Sequence, residues 1–290
     1  MGIFFNRTQS QNDEGKTNAE GGKGKVIAFL NQKGGVGKTT VAFNTAFALR
    51  AQGKRVLCLD LDPQANLTYL FGIEDVEGYS LYNLLLNSIR ELKGLHTSCL
   101  VSDLLVQKDG VDLIPSSGDL SGFELTVAGI SVPRQLILKK FIEKNGLTHL
   151  YDYIVIDCPP TLGLLVINSL CASDGVIVPF RPDDFSRKGL NAFYEVLENI
   201  DDMGVVKVPE ILLHVPNLVD ARRKQEQDDL VNIVNQLGSD SKVMEPIHNK
   251  SQLVKALGQR KSVYDYSSKE YAPLQESFTK IANVIEEWAQ

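Results

Sequence analysis

The sequence has no apolar run near the roughly 20 residues that a helix needs to span a bilayer. Its start offers only Ile3-Phe4-Phe5, where a secretory leader would carry an apolar core of about 7–15 residues. Neither a membrane-inserted chain nor a secreted one is expected. Cysteine is scarce: Cys58, Cys99, Cys158 and Cys171 form no C-x-x-C pair, and Cys58 and Cys158 lie in or beside apolar, strand-like runs. A thiol there behaves as a small hydrophobe. This usage argues against a disulfide framework and points to a reduced cytoplasm. Positive charge is in deficit too. With 30 Lys and Arg against 36 Asp and Glu, the formal net charge is −6. That excludes a uniformly basic nucleic-acid binder and leaves room for a local basic patch.

What is present is a chain of 290 residues, 43% of them hydrophobic, enough to bury a sizeable core. Residues 6–24, NRTQSQNDEGKTNAEGGKG, are polar and aperiodic. The segment 1–24 therefore reads as a disordered tail, with order beginning at Lys25. From there, short apolar runs at 26–31, 55–60, 111–115, 151–157, 175–180 and 210–215 alternate with helical patterns at 38–52, 133–145, 162–172, 187–200, 221–237 and 273–289. The strand interiors are mostly apolar without polar alternation, as in parallel strands covered on both faces. This rhythm predicts a doubly wound α/β fold, a mostly parallel sheet flanked by helices. No linker or repeat divides residues 25–290, so they are expected to form one domain.

The first run leads into NQKGGVGKTT, residues 31–40. Strand, glycine-rich turn and helix in that order are what a phosphate-binding loop requires. Gly34, Gly35, Val36 and Gly37 place backbone N–H groups around phosphate oxygens, and the start of the helix, with Thr40, adds its partial positive charge. Lys38 is expected to reach the β- and γ-phosphates, and the Thr39 hydroxyl to ligate Mg²⁺. The loop departs from G-x-x-x-x-G-K-[ST] at its opening, where Gln32 replaces glycine and a second lysine, Lys33, follows. Three aspartates close apolar strands or lie just beyond them: Asp60, Asp62 and Asp157. In α/β sheets ligands bind at that edge, so Asp157 and Asp60 are expected beside the metal.

K-G-G-x-G-K-[ST] at Lys33–Thr39 resembles the deviant Walker A motif of the ParA/MinD family of ATPases. RVLCLDLDPQAN (55–66) resembles the family's second motif, and YDYIVIDCPPTLGLLVINSL (151–170) its Walker B strand and following helix. The resemblance continues through SSGDLSGFE (116–124) and YDYSSKEY (264–271), and it covers essentially residues 25–290. It implies a dimer in which two subunits sandwich two ATP molecules. Lys33 would cross to the partner's phosphates, Asp62 would orient the attacking water, and Asn217 would recognise adenine. The segment around Val263–Asp265, with Asp265, is a further candidate on the adenine side. The resemblance also implies slow hydrolysis without a partner protein.

Within the family, the branches differ at their C-terminal parts. SFTKIANVIEEWAQ ends with Glu286 and Glu287 against Lys280, which does not suit the basic lipid-binding helix of MinD-type members. Cys158 follows the Walker B aspartate, but no second cysteine stands in a motif matching the iron–sulfur relatives. The ParA branch, which binds DNA without sequence preference, fits better. Arg222, Arg223 and Lys224 in VDARRK are candidates for that contact, as are Lys250, Lys255 and Arg260 in a lysine- and arginine-rich stretch at 242–261. The expectation is a bacterial, cytoplasmic, nucleoid-associated ATPase that uses ATP and Mg²⁺, forms a homodimer with ATP and binds nonspecific DNA. It would answer to a ParB-like or other cargo-linked activator. The alternative is a positioning switch recruited by a membrane or scaffold and not acting through DNA.

Overall fold

The structure is a computed structural model that describes residues 23–290, apart from 77, 93–98 and 239–240, and apart from the side chains of 184–188. All of the expected tail except Lys23 and Gly24 lies outside the described residues. Gly24 already belongs to the fold. Its amide donates to the Thr148 carbonyl at 2.8 Å, and a Cβ there would sit 2.0 Å from the Tyr151 carbonyl oxygen. The ordered domain thus begins before Lys25.

Eight strands form one sheet: β1 (Lys25–Phe29), β2 (Val56–Asp60), β3 (Val106–Lys108), β4 (Val111–Ile114), β5 (Tyr153–Asp157), β6 (Gly175–Phe180), β7 (Glu210–Val219) and β8 (Ile247–His248). Their order is β3-β4-β2-β5-β1-β6-β7-β8. All neighbours run parallel except β3, which pairs antiparallel with β4 at one edge. The strand order reverses around β1, which lies between β5 and β6, and open α/β sheets bind ligands at such a switch point.

The predicted parallel, two-sided sheet is what the packing requires. Alternate residues of β1 enter different cores: Val26 and Ala28 face one, Ile27 and Phe29 the other. The first core takes Phe123, Phe141, Phe180 and Phe193; the second is closed by helix Lys38–Ala51 and by Phe278, Ile281 and Ile285 of helix Ala272–Ala289. Through those last three buried residues the C-terminal helix packs on the sheet. Among the described residues, no helix is long and apolar enough to cross a membrane.

Two strands are absent from the sequence reading. β3 and β8 have three and two residues, too short for any periodicity to show. β7 runs to Val219, four residues past its predicted end. Its ladder with β8 slips between Asn217 and Val219, where Leu218 adopts a positive φ of 58°. A left-handed leucine costs on the order of 1–2 kcal/mol. That kink keeps Asn217 at the sheet edge facing the phosphate loop.

Candidate nucleotide site

The register of the central strands assembles the site. Asp60 at the end of β2 lies beside Asp157 at the end of β5, and Asp157 lies beside Phe29 at the end of β1. The loop after Phe29 therefore rises next to both carboxylates. Gly37 carries the turn into helix Lys38–Ala51 at φ 86°, a left-handed conformation that only glycine adopts freely. It cannot be exchanged for a second reason. The Asn217 side-chain amide donates to the Val36 carbonyl at 2.9 Å, so a Cβ at Gly37 would meet Asn217 Nδ2 at 2.2 Å. A Cβ at Gly34 or Gly35 would meet nothing within 4 Å; there the loop's open side leaves room for a ligand.

Lys38 is 7% exposed and reaches back across the loop, its ammonium 3.4 Å from the Lys33 carbonyl oxygen. Burial pushes its pKa down, while Asp157 opposes the shift. Asp157 itself is fully buried, and among the described residues neither carboxylate oxygen has a hydrogen-bond partner. Desolvation first, and then the charge of Asp60, raise its pKa well above the usual range. The Thr39 hydroxyl faces it and offsets part of this rise, short of a hydrogen bond of normal geometry. Asp60 is different. Its Oδ2 accepts from the Thr68 amide at 2.8 Å and the Thr68 hydroxyl at 2.7 Å, and its Oδ1 accepts from the Asp62 amide at 3.1 Å. Burial nonetheless pushes it up to about 7.

These residues fit a hydrated Mg²⁺ bound together with phosphate. Mg²⁺ usually takes one or two carboxylates and keeps several waters, and among the described residues no group of three His, Cys, Asp or Glu side chains gathers to hold a metal alone. Asp157 is the carboxylate with its oxygens unspent, Thr39 offers a hydroxyl, and Asp60 is largely committed to shaping the turn. Such an ion would supply positive charge against developing negative charge on a transferred phosphoryl group.

A buried carboxylate pair has a consequence for the nucleotide-free protein. A carboxyl whose folded pKa lies above its unfolded value stabilises fully below the unfolded value, and that contribution is lost as pH rises through the folded value. For Asp60 the window runs from about 3.8 to about 7. The nucleotide-free protein is therefore expected to be less stable at pH 8 than at pH 5.5 on account of this pair. Asp157→Asn should raise its melting temperature at pH 8 by several degrees, at ~2–4 °C per kcal/mol for a domain of this size. Stabilisation by ATP with Mg²⁺ should be lost. Melting curves at both pH values, with and without ligand, check this; an unchanged nucleotide-free melting point at pH 8 would contradict it.

Asp62 is 7% exposed and lies just beyond the end of β2. Its Oδ1 accepts from the Gln64 amide at 3.0 Å, and its carbonyl accepts from the Ser116 hydroxyl at 2.6 Å. Ser116 and Thr68 thus brace the turn carrying Asp60 and Asp62, and the Ser116 amide donates to the Thr68 hydroxyl at 2.9 Å. Ser116 stood inside a recognised motif without an assigned task; Thr68 carried no sequence signal. Asn44 is another residue that sequence reasoning missed. It donates to the Thr40 carbonyl at 2.9 Å and accepts from the Val263 amide at 2.9 Å. This ties Val263–Asp265, a 3-10 turn, to the loop's helix. Asp265 turns inward on its own segment, accepting from the Ser262 amide at 2.8 Å. Asn217 retains a buried Oδ1 with no partner among the described residues.

Lys33 does not join Lys38. Its ammonium forms an ion pair with Asp183, after β6, at side-chain exposures of 29% and 31%. Its amide donates to Asn31 Oδ1 at 2.9 Å, and Asn31 donates to the Pro179 carbonyl at 2.8 Å. The two lysines of the loop thus diverge.

The basic candidates fall in two places. Arg222, Arg223 and Lys224 follow β7, and Lys250 follows β8; the Asn249 amide donates to the Val219 carbonyl at 3.1 Å, so these segments share one corner of the sheet. Arg222 is 90% exposed and grips Asp220 through two bonds of 2.9 Å, holding that carboxyl at about 2. Arg223 and Arg181 both meet Glu226 at 3.3 Å. Lys255 is exposed on helix Ser251–Gly258. Arg260 departs from the corner: it pairs with Glu74 and lies 4.2 Å over the Tyr69 ring.

A glycine-cradled loop at the switch point of a parallel sheet, with an inward lysine and an orphaned strand-end aspartate, defines a P-loop nucleotide-binding domain. A family model described as an AAA domain matches residues 24–210. The chain is 40% identical over 170 residues to the sporulation initiation inhibitor protein Soj of Bacillus subtilis, and 37% identical over 179 residues to the chromosome partitioning protein ParA of Caulobacter vibrioides. The matches cover 58% and 61% of this chain and 62% and 63% of those proteins, so the chain spans under two thirds of the length of these relatives. The structure of a Cyanothece McdA variant in complex with ATP superposes with a TM-score of 0.77 at 23% identity, covering 92% of this chain and 98% of that one. A cobyrinic acid a,c-diamide synthase from Mycobacterium smegmatis, solved with an ATP analogue and magnesium, gives a TM-score of 0.74 at 28% identity, over 91% of this chain and 95% of that one. This chain belongs to the ParA/MinD family of deviant Walker A P-loop NTPases.

Proposed function

We propose that the chain is a Mg²⁺-dependent ATPase that dimerises around ATP, binds DNA nonspecifically as the dimer and positions a cargo. A cargo-linked activator would stimulate hydrolysis. The observation that carries this reading is the divergence of the two loop lysines. Lys38 points inward and serves the phosphates of its own loop. Lys33 is parked on Asp183, near the surface, in a half-exposed pair worth only ~0–1 kcal/mol. Hydrogen bonds from an ammonium to phosphate are worth more, ~1.5–3 kcal/mol each, so a partner's ATP would draw Lys33 away from Asp183. Asp62 would orient the water, and Asn217 and the Val263–Asp265 turn would flank the base. Relatives named for chromosome partitioning support the same reading.

The DNA contact is placed at the corner shared by the ends of β7 and β8. One copy offers few cations there, and Asp220 and Glu226 offset part of their charge. Two copies double the phosphates contacted, and each released counterion steepens the salt dependence. Arg222→Glu or Lys250→Glu is expected to abolish ATP-dependent retention on unrelated duplexes while keeping ATP binding and dimerisation. A mobility-shift series across salt, with and without ATP, tests this. No ATP-dependent shift by the wild-type chain at low salt would favour the scaffold-recruited switch. Equal shifts by both variants would place the DNA surface elsewhere.

A further inference from the structure

The opposite edge of the sheet holds a second concavity. It is a cleft of about 360 Å³ where β1, β6 and β7 begin, on the far side of the strands from the phosphate loop. Lys23 and Lys25 reach it from the start of β1, Lys139 from helix Ile137–Lys144, and Lys207 from the segment before β7. Thr148 and Trp288 complete its wall. Among the described residues none of the four lysines forms an ion pair with a carboxylate, in a chain whose net charge is −6.

Three acids line the same cleft, and two of them already accept a hydrogen bond from the chain. Asp174 accepts from the Val26 amide at 2.8 Å, and Glu210 accepts from the Trp288 indole N–H at 2.9 Å. Glu143 is the third. Lys25 is steered by the Trp288 ring, its ammonium 5.4 Å from the centroid. Thr148 is 6% exposed, and its hydroxyl has no partner among the described residues. An orphaned buried hydroxyl is costly unless something outside the chain meets it. The four lysines outnumber the three carboxylates of the cleft, so its wall has a net positive charge that attracts an anion.

We propose that this cleft is a second anion site, for a compact ligand carrying two or more phosphate groups. Lys139 and Lys207 clasp it from opposite walls, Lys23 and Lys25 close it along the start of β1, and the Thr148 hydroxyl donates to one of its oxygens. Phosphate density matches ammonium groups drawn from three separate segments better than a single carboxylate does. The small volume of the cleft favours a small polyanion over duplex DNA. The site is independent of the proposed reaction at Lys38 and of the DNA corner.

The test is calorimetric titration of the nucleotide-free full chain with inorganic tripolyphosphate in the absence of Mg²⁺. The full-length Lys38→Ala protein serves as a second host, whose phosphate loop has lost its own ammonium. A saturable site that survives this substitution is expected in both. Lys139→Ala with Lys207→Ala should weaken it by at least ~10-fold, and Thr148→Val by several-fold, with melting curves and basal ATP turnover unchanged. No saturable binding in either host would overturn the proposal. So would binding that survives the double lysine substitution, or a site protected by a short DNA duplex and not by tripolyphosphate.

Discussion

Lys38→Ala is expected to lower ATP affinity by at least ~100-fold, the loss of about two ammonium–phosphate bonds at ~1.5–3 kcal/mol each. Lys38 is the buried ammonium of the loop, and Lys33 is turned toward Asp183, so no neighbour can replace it. The substitution should leave the fold intact. Burial already disfavours the Lys38 charge, and its removal relieves that cost while taking a counter-charge from Asp157. These effects oppose each other, and the nucleotide-free melting temperature should move by only a few degrees. Fluorescent-nucleotide titration checks the affinity. A Lys38→Ala protein that binds ATP within ~3-fold of wild type would require another cation at the phosphates.

The second large effect is on turnover alone. Asp62→Ala is expected to bind ATP and dimerise, yet hydrolyse at least ~100-fold more slowly, the range of a lost water-positioning or base group. Asp62 lies just beyond the end of β2, where a γ-phosphate and its attacking water are expected, and among the described residues its carboxylate accepts a hydrogen bond from the Gln64 amide alone. Its structural duties run through its backbone, whose amide donates to Asp60 and whose carbonyl accepts from Ser116. Alanine preserves both. The variant should therefore fold, hold ATP and persist as a DNA-retained dimer. Turnover near wild type would remove Asp62 from the water.

The six long strands and the loop were legible because each produces a strong local signal: an unbroken apolar run, or three glycines between strand and helix. Asp60, Asp62 and Asp157 were legible because the sheet's topology puts strand ends together. The divisions among them were not. Asp60 is spent on Thr68 and Asp157 is not, a difference set by the turn after β2 packing on Ser116, more than 45 residues away in sequence. Asp183 was invisible for the same reason: its role comes from β6 lying next to β1. Charge counting placed Arg260 with the basic patch, whereas packing against Tyr69 and Glu74 holds it elsewhere. The lysines at the lower cleft escaped notice because they are scattered between residues 23 and 207 and no motif joins them.

Whether Lys33 acts on its partner's nucleotide is tested most directly by mixing two inactive proteins, Lys33→Ala and Asp62→Ala. In a mixed dimer, the Lys33→Ala subunit keeps its own Asp62 and receives Lys33 from the other subunit. That one site is complete, while the second site lacks both groups. With random pairing, half the dimers are mixed and each has one working site of two, so turnover is expected to return to at most about a quarter of the wild-type rate. If light scattering shows that mixed dimers form with ATP and turnover stays at the level of the separate variants, Lys33 does not act across the interface.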